Sequence, residues 1–269
     1  MAELCRYDGR RVVVTGCGSG IGAHVVRQVS GLGAQVVGLD LCPPAADAGS
    51  RLEFGELDLA DPDSIDRAVA AVGGPVDALF NVAGVSSGIG DPLRVATINF
   101  LGTRQLTEGL LPAMPAGSAI ASVSSLAASG YLENRRTTAG LLATTTFAEG
   151  LDWCRRHPEA LADGGYRLAK EALILYTMQR AGPLGANGIR INCTGPGVTD
   201  TPILDQLRSA YGQDYLDGFV NPLGRMSDPA EQAAVLVFLN SAAASYITGQ
   251  VIWVDGGIIA DRVANSLQE

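Results

Sequence analysis

The stretch GGYRLAKEAL places Tyr166 four residues before Lys170 in a helical pattern, so both side chains leave the same helix face. A free tyrosine ionises near pH ~10 and is a poor base at neutrality. Bringing it down by roughly 2 to 3 units requires about 3 to 4 kcal/mol of preferential stabilisation of the phenolate. A neighbouring ammonium supplies part of that. Such a pair can take the proton of an alcohol as hydride leaves its carbon, or return it to a carbonyl. The same spacing also decorates ordinary helix surfaces, and the pair gains meaning only from what stands beside it.

A second group of residues suits phosphate rather than protons. TGCGSGIG, Thr15 to Gly22, lies between a β-branched run and a helical pattern, where glycines let backbone approach a pyrophosphate at a helix N-terminus. Asp40 ends the next apolar run, AQVVGLD, where a carboxylate can accept hydrogen bonds from ribose hydroxyls and repel a 2′-phosphate. No arginine or lysine occupies the glycine turn or the two positions after Asp40. This favours NAD over NADP, against the plainer alternatives of a simple turn and a solvated strand end.

The elements that must position these groups follow from periodicity. RRVVVTG, AQVVGLD, LEFGELD, VDALFNVAG, SAIASVS, IRINCTG and QVIWVDGG read as strands. Helical patterns lie between them: IGAHVVRQVSGLG, SIDRAVAAV, Ile98–Leu111, Gly165 to about Leu184, and PAEQAAVLVFL. Alternating strands and helices imply an α/β chain with a doubly wound parallel sheet and helices on both faces, one domain over residues 1–269. A length of 269 residues, 47% hydrophobic, with 34 glycines, fits that class. A formal charge of -9 without a basic cluster argues against nucleic acid. No run has the length of a membrane span and no apolar leader opens the chain, so a cytoplasmic, membrane-free protein is expected. Five scattered cysteines without a CxxC pair support neither a disulfide framework nor a metal site.

TGCGSGIG resembles the TGxxxGxG turn of the short-chain dehydrogenase/reductase family, and further stretches match in order: Asp58 in GELDLAD, NVAG at Asn81–Gly84, Asn99 in INFLG, the pair Ser124–Ser125, Tyr166 with Lys170, PGVTDT at Pro196–Thr201, and ITGQVIWVDGG. The resemblance implies a Rossmann fold, NAD as cofactor, and Asn99, Ser125, Tyr166 and Lys170 as the catalytic set. Ser125 would hold the substrate oxygen, Ser124 would be structural, and Asn99 would bind a water beside Lys170 or satisfy backbone groups. The cofactor would be held by Gly16, Ser19, Gly20, Ile21 and Gly22, by Asp40 on the ribose, by Asp58 and Leu59 near the adenine, by Asn81, Ala83 and Gly84, by Tyr166 and Lys170, and by Pro196, Gly197, Val198 and Thr201 along the nicotinamide. For Asp58 a helix-capping role is the alternative.

One segment departs from the family pattern. Ser125 precedes Tyr166 by 41 residues where about a dozen is usual, and the surplus (approximately 128–163) contains a helix marked by Leu142, Phe147, Leu151 and Cys154. A helical insertion therefore precedes the tyrosine helix. With TPIL after the PG turn, the chain resembles both the bacterial 3α-hydroxysteroid dehydrogenase/carbonyl reductase group and coniferyl-alcohol dehydrogenases. That implies a hydrophobic cyclic alcohol or ketone as substrate, an aromatic alcohol as the alternative, and a non-catalytic NAD-binding scaffold or sensor as the rival of a different class. The stretch Pro202–Asn221 could be a lid or a fixed helix pair. The insertion is expected to block one surface the family uses for assembly. That leaves a homodimer through the last helix (Ala233, Val235, Leu236, Leu239) and the last strand.

Overall fold

RVVVT and QVVGLD form β1 (Arg11–Thr15) and β2 (Gln35–Asp40), which pair in parallel with Val13 opposite Val37. In the computed structural model, which describes residues 3–44, 52–214, 218 and 220–267, five more strands join them: β3 (Leu52–Glu56), β4 (Ala78–Asn81), β5 (Ala119–Val123), β6 (Arg190–Pro196) and β7 (Val251–Val254). All pairings are parallel, in the order β3-β2-β1-β4-β5-β6-β7. The chain winds outward from β1 to one edge, then returns and winds from β4 to the other. A crevice opens at the carboxyl ends of the strands where the order reverses.

Alternation along the strands sends side chains to two separate cores. Val12 and Val14 face α1 (Gly20–Gly31) and α9 (Pro229–Asn240), packing with Val25, Val29 and Leu236. Val13 faces the other way, toward Ile65 of α2 (Pro62–Val72), Leu106 of α4 (Thr103–Leu110) and Leu168 of α7 (Tyr166–Gly185). No described helix is long and apolar enough to cross a membrane.

Several elements differ from the sequence reading. The helix expected from Ile98 begins six residues earlier: α3 (Pro92–Ala96) is capped by Asp91 and runs through a π-helical turn, Thr97–Gly102, into α4. The single insertion helix is two, α5 (Arg135–Leu142) and α6 (Phe147–Arg156), because Thr146 and Glu149 form a capping box that starts a new helix. Of the residues expected on a contact surface, Ala233, Leu236 and Leu239 are fully buried against the sheet and Val235 is half-buried against the same core, while Phe238 is the exposed large apolar side chain of the helix. Helix α2 is capped by Asp61, not Asp58. Beyond β7 an additional helix, α10 (Ile258–Ser266), is held at its start by Asp255, whose carboxylate accepts from the backbone N–H of Gly257 and Ile259. Of the lid stretch, α8 (Pro202–Tyr211) is described, and residues 215–217 and 219 lie outside the described set.

The insertion is built into the body rather than hung from it. Leu141, Trp153 and Cys154 enter the same core as Phe100 and Leu168. Arg104 on α4, almost fully buried, donates to the carbonyls of Thr144 (2.7 Å) and Thr146 (3.1 Å), pinning the turn between α5 and α6. From α7, the buried Glu171 accepts from Asn134 Nδ2 at 2.7 Å and pairs with Arg167, tying the start of α5 to the tyrosine helix.

Candidate active site

The crevice at the strand ends is a cleft of about 480 Å³, within the range of small-molecule sites. Along it stand the expected Gly16, Ser19, Gly20, Ile21, Gly22, Asp40, Asp58, Leu59, Ala83, Gly84, Ser125, Tyr166, Lys170, Pro196, Gly197, Val198 and Thr201. Asn81 and Asn99 do not line it. Asn81 points inward, donating to Thr107 Oγ1 (2.9 Å) and Ser122 Oγ (3.2 Å), and so shapes the turn after β4 from behind. Asn99, in the π-helical turn, brackets Val85: its Oδ1 accepts from Val85 N–H (2.9 Å) and its Nδ2 donates to Val85 carbonyl (2.8 Å).

The glycine turn is shaped by close packing. Gly16 has φ +70, and a Cβ there would lie 2.8 Å from Ala83 Cα; a Cβ on Gly22 would lie 2.0 Å from the Gly16 carbonyl oxygen. The N-cap residue of α1, Ser19, makes no side-chain capping bond, and the first turn carries no acid. That leaves its N–H groups free to meet an anion. Asp40 is held at the far end, its Oδ2 accepting from Gly18 N–H (2.8 Å) and its Oδ1 from Leu41 N–H (2.7 Å). Asp58 accepts locally from Ala60 N–H (2.8 Å) while lining the cleft. An anion-binding turn followed by a carboxylate facing the ribose position fits a dinucleotide.

At the other end, Ser125 follows β5 and Tyr166 begins α7. Lys170 is buried, donates to the Val123 carbonyl (2.8 Å), and lies 5.6 Å from the centroid of the Tyr166 ring. Burial pushes its ammonium down to about 8, since a charge is costly away from water. Nearby Cys193 is pushed up to about 12, also by burial, and stays a neutral thiol that does not quench the lysine charge. Ser124 spends its hydroxyl on the Lys170 carbonyl (2.8 Å), tying α7 to the end of β5. Ser125 Oγ accepts from Ala127 N–H at 3.2 Å, which leaves its proton free to donate into the cleft.

Comparison with known proteins accords with this geometry. A short chain dehydrogenase family model matches residues 10–139, and an enoyl-(acyl carrier protein) reductase family model matches residues 159–259. The coniferyl-alcohol dehydrogenase of Pseudomonas sp. (strain HR199 / DSM 7063) is 33% identical over 96% of this chain and 100% of its own length. The chain belongs to the short-chain dehydrogenase/reductase family. This dehydrogenase is also 30% identical to the 3-alpha-hydroxysteroid dehydrogenase/carbonyl reductase of Comamonas testosteroni, over 93% of this chain and 96% of that one. The crystal structure of the 3-alpha-hydroxysteroid dehydrogenase from Pseudomonas sp. B-0831 complexed with NADH superposes with a TM-score of 0.81 at 30% identity, covering 94% and 98% of the two chains. The protein is therefore an oxidoreductase acting on CH–OH groups, with a nicotinamide cofactor.

Several contributors to the cleft were not named by the sequence reading. Gln206 on α8 lines it and meets Ser86 Oγ at 3.0 Å, joining α8 to the 3₁₀ turn Ser87–Ile89 across the mouth. The Val123 carbonyl holds Lys170, a backbone role that no residue type announces. Arg262 reaches the cleft from α10.

Proposed function

We propose that this dehydrogenase uses NAD to interconvert a hydrophobic cyclic alcohol and its ketone. The observation that carries the reading is the convergence of Ser125, Tyr166 and Lys170 on one end of an apolar-walled cleft whose other end is held by Asp40. When bound, the nicotinamide ring accepts or returns hydride. The protein's own groups manage the proton. Ser125 donates to the substrate oxygen and orients the carbinol carbon. Tyr166 takes the hydroxyl proton during oxidation and gives it back during reduction. Lys170, fixed by Val123, supplies the positive charge that favours the phenolate. Asn99 contributes through the Val85 backbone, which borders the cleft next to Gly84.

Asp40 supports NAD over NADP, because its fixed carboxylate would face a 2′-phosphate and the only cations lining the cleft among the described residues, Lys170 and Arg262, stand on α7 and α10 rather than beside β2. Ile203, Leu204 and Leu207 of α8 supply the apolar wall suited to a ring. The 33% identity to a coniferyl-alcohol dehydrogenase favours an aromatic alcohol as a second reading. Two copies would assemble through α9 and β7, where Phe238 and Tyr246 are exposed and β7 has a neighbour on one side only, since α5 and α6 cover the face beside α4 and α7. Tyr166→Phe should still bind NAD and lose at least about a thousandfold in kcat. Retention of a tenth of the activity would overturn the assignment.

A further inference from the structure

The cleft holds a cation that the proton chemistry does not use. Arg262 stands four residues after the buried Ile258 on α10; it is itself exposed to solvent and lines the cleft. Asp261 beside it accepts from Asn265 (3.2 Å) on a different face. Among the described residues Arg262 has no hydrogen bond or ion pair, whereas Arg167, Arg180, Arg208 and Arg225 each meet a carboxylate.

Chain connectivity starts the helix that carries this guanidinium beside the nicotinamide-side turn. Helix α10 follows β7, and the end of that strand packs on the nicotinamide-side turn: a Cβ on Gly197 would lie 2.8 Å from Asp255 Cα. Asp40 follows β2, five strand spacings away, or about 24 Å at ~4.8 Å each. The start of α10 thus lies toward the opposite end of the cleft from Asp40. Ser125 follows β5, two spacings from β7, or about 10 Å. A six-membered ring with one substituent is of the size to reach from the Ser125 end toward the β7 end of the cleft, where Arg262 also lines it. Leu204 and Leu207 provide an apolar wall for the ring between them. The protein's net charge of -9 repels anions at long range, so an anionic substrate needs a local cation, and a planar guanidinium grips a carboxylate with two parallel bonds.

We propose that Arg262 is a specificity-determining residue that selects cyclic substrates bearing a carboxylate on the side of the ring remote from the reacting carbon. The proposal rests on the reading of the site as an NAD-linked alcohol/ketone oxidoreductase. It is tested with the full-length protein by reducing 4-oxocyclohexanecarboxylate, its methyl ester and cyclohexanone with NADH, and by titrating cyclohexanecarboxylate and cyclohexanol into the protein–NAD complex while following tryptophan fluorescence. The acid should exceed its ester in kcat/KM by about tenfold or more, the weight of one charge-assisted contact. Arg262→Gln should erase that preference through KM, leave the ester and NAD affinity unchanged, and be partly restored in Arg262→Lys. Equal kcat/KM for acid and ester in the wild type would overturn the proposal. So would equal losses for both in Arg262→Gln, or a matching loss of NAD affinity, which would assign the arginine to the cofactor. If none of the three ketones is reduced, the functional reading fails on its own, and the fluorescence titration still decides Arg262: stronger binding of the carboxylate that disappears in Arg262→Gln upholds the proposal, and equal binding of the two probes overturns it.

Discussion

Replacing Lys170 by methionine should make the cofactor-free protein more stable at neutral pH while abolishing its activity. The ammonium is pushed from the ordinary 10.5 down to about 8 by burial. Between those values the unfolded chain binds more protons than the folded one, so the lysine's contribution to stability rises with pH. Linkage puts the penalty on the native state at about 3 kcal/mol at pH 7 and about 1 kcal/mol at pH 10. Methionine removes that penalty and also loses the bond to the Val123 carbonyl, at a cost of about 1 to 2 kcal/mol. The variant should therefore be more stable than wild type by about 1 to 2 kcal/mol at pH 7 and equal or less stable at pH 10. Urea unfolding followed by the fluorescence of Trp153 and Trp253 measures both proteins across this range. Other groups titrating in the same window cancel in the difference. A difference between wild type and Lys170→Met that stays constant from pH 7 to pH 10 would refute the reasoning, because it would mean the folded protein does not depress this lysine.

Asp40→Ala should raise kcat/KM with NADP relative to NAD by about tenfold or more, from removal of one repulsive charge at close range; an unchanged ratio in steady-state assays would count against the ribose role. Trp153, which stacks on His157 at 4.3 Å and packs inside the insertion, should cost about 3 kcal/mol or more when cut to alanine, seen as a lowered midpoint in thermal or urea unfolding. Gly88 leaves no room for a side chain, since a Cβ would lie 2.8 Å from the Gln206 carbonyl oxygen. Gly88→Val should therefore lift α8 from the mouth, raising KM for substrate and speeding proteolytic cleavage within Pro202–Tyr211 with little change in NAD affinity.

Much of this was legible because the signals were local. Period-two and helical runs delimited the strands, the glycine turn sat where a phosphate belongs, and Tyr166 with Lys170 announced a proton pair. The break between Leu142 and Phe147 was also written in the chain, as Thr146 and Glu149 in capping-box spacing, but an apolar stripe running across it masked the signal. Asp91–Pro92 likewise marked the true start of α3. Other features had no local signature. The π-helical turn carries Asn99, whose bonds go to Val85 fourteen residues away, and Asn81 turns inward to Thr107 and Ser122. Burial of Ala233, Leu236 and Leu239 follows from the pairing of α9 with α1, some two hundred residues upstream.

That last pairing has a consequence for how the chain reaches its native state. Tyr7, fully buried, donates its hydroxyl to the Val237 carbonyl at 2.6 Å, and Gln28 donates to the Ala230 carbonyl at 2.9 Å. One of the two hydrophobic layers is thus made from opposite ends of the polypeptide. During synthesis, strands β1 to β6 can emerge and align while Val25, Val26 and Val29 still lack their covering helix. Contacts so distant in sequence form slowly, and exposed apolar surface during that interval invites aggregation. The nascent chain must carry an uncovered sheet face until residues near 239 leave the ribosome. A ribosome-stalled chain ending before α9 should be held by chaperones, and release of the full chain should be the step at which protease resistance appears.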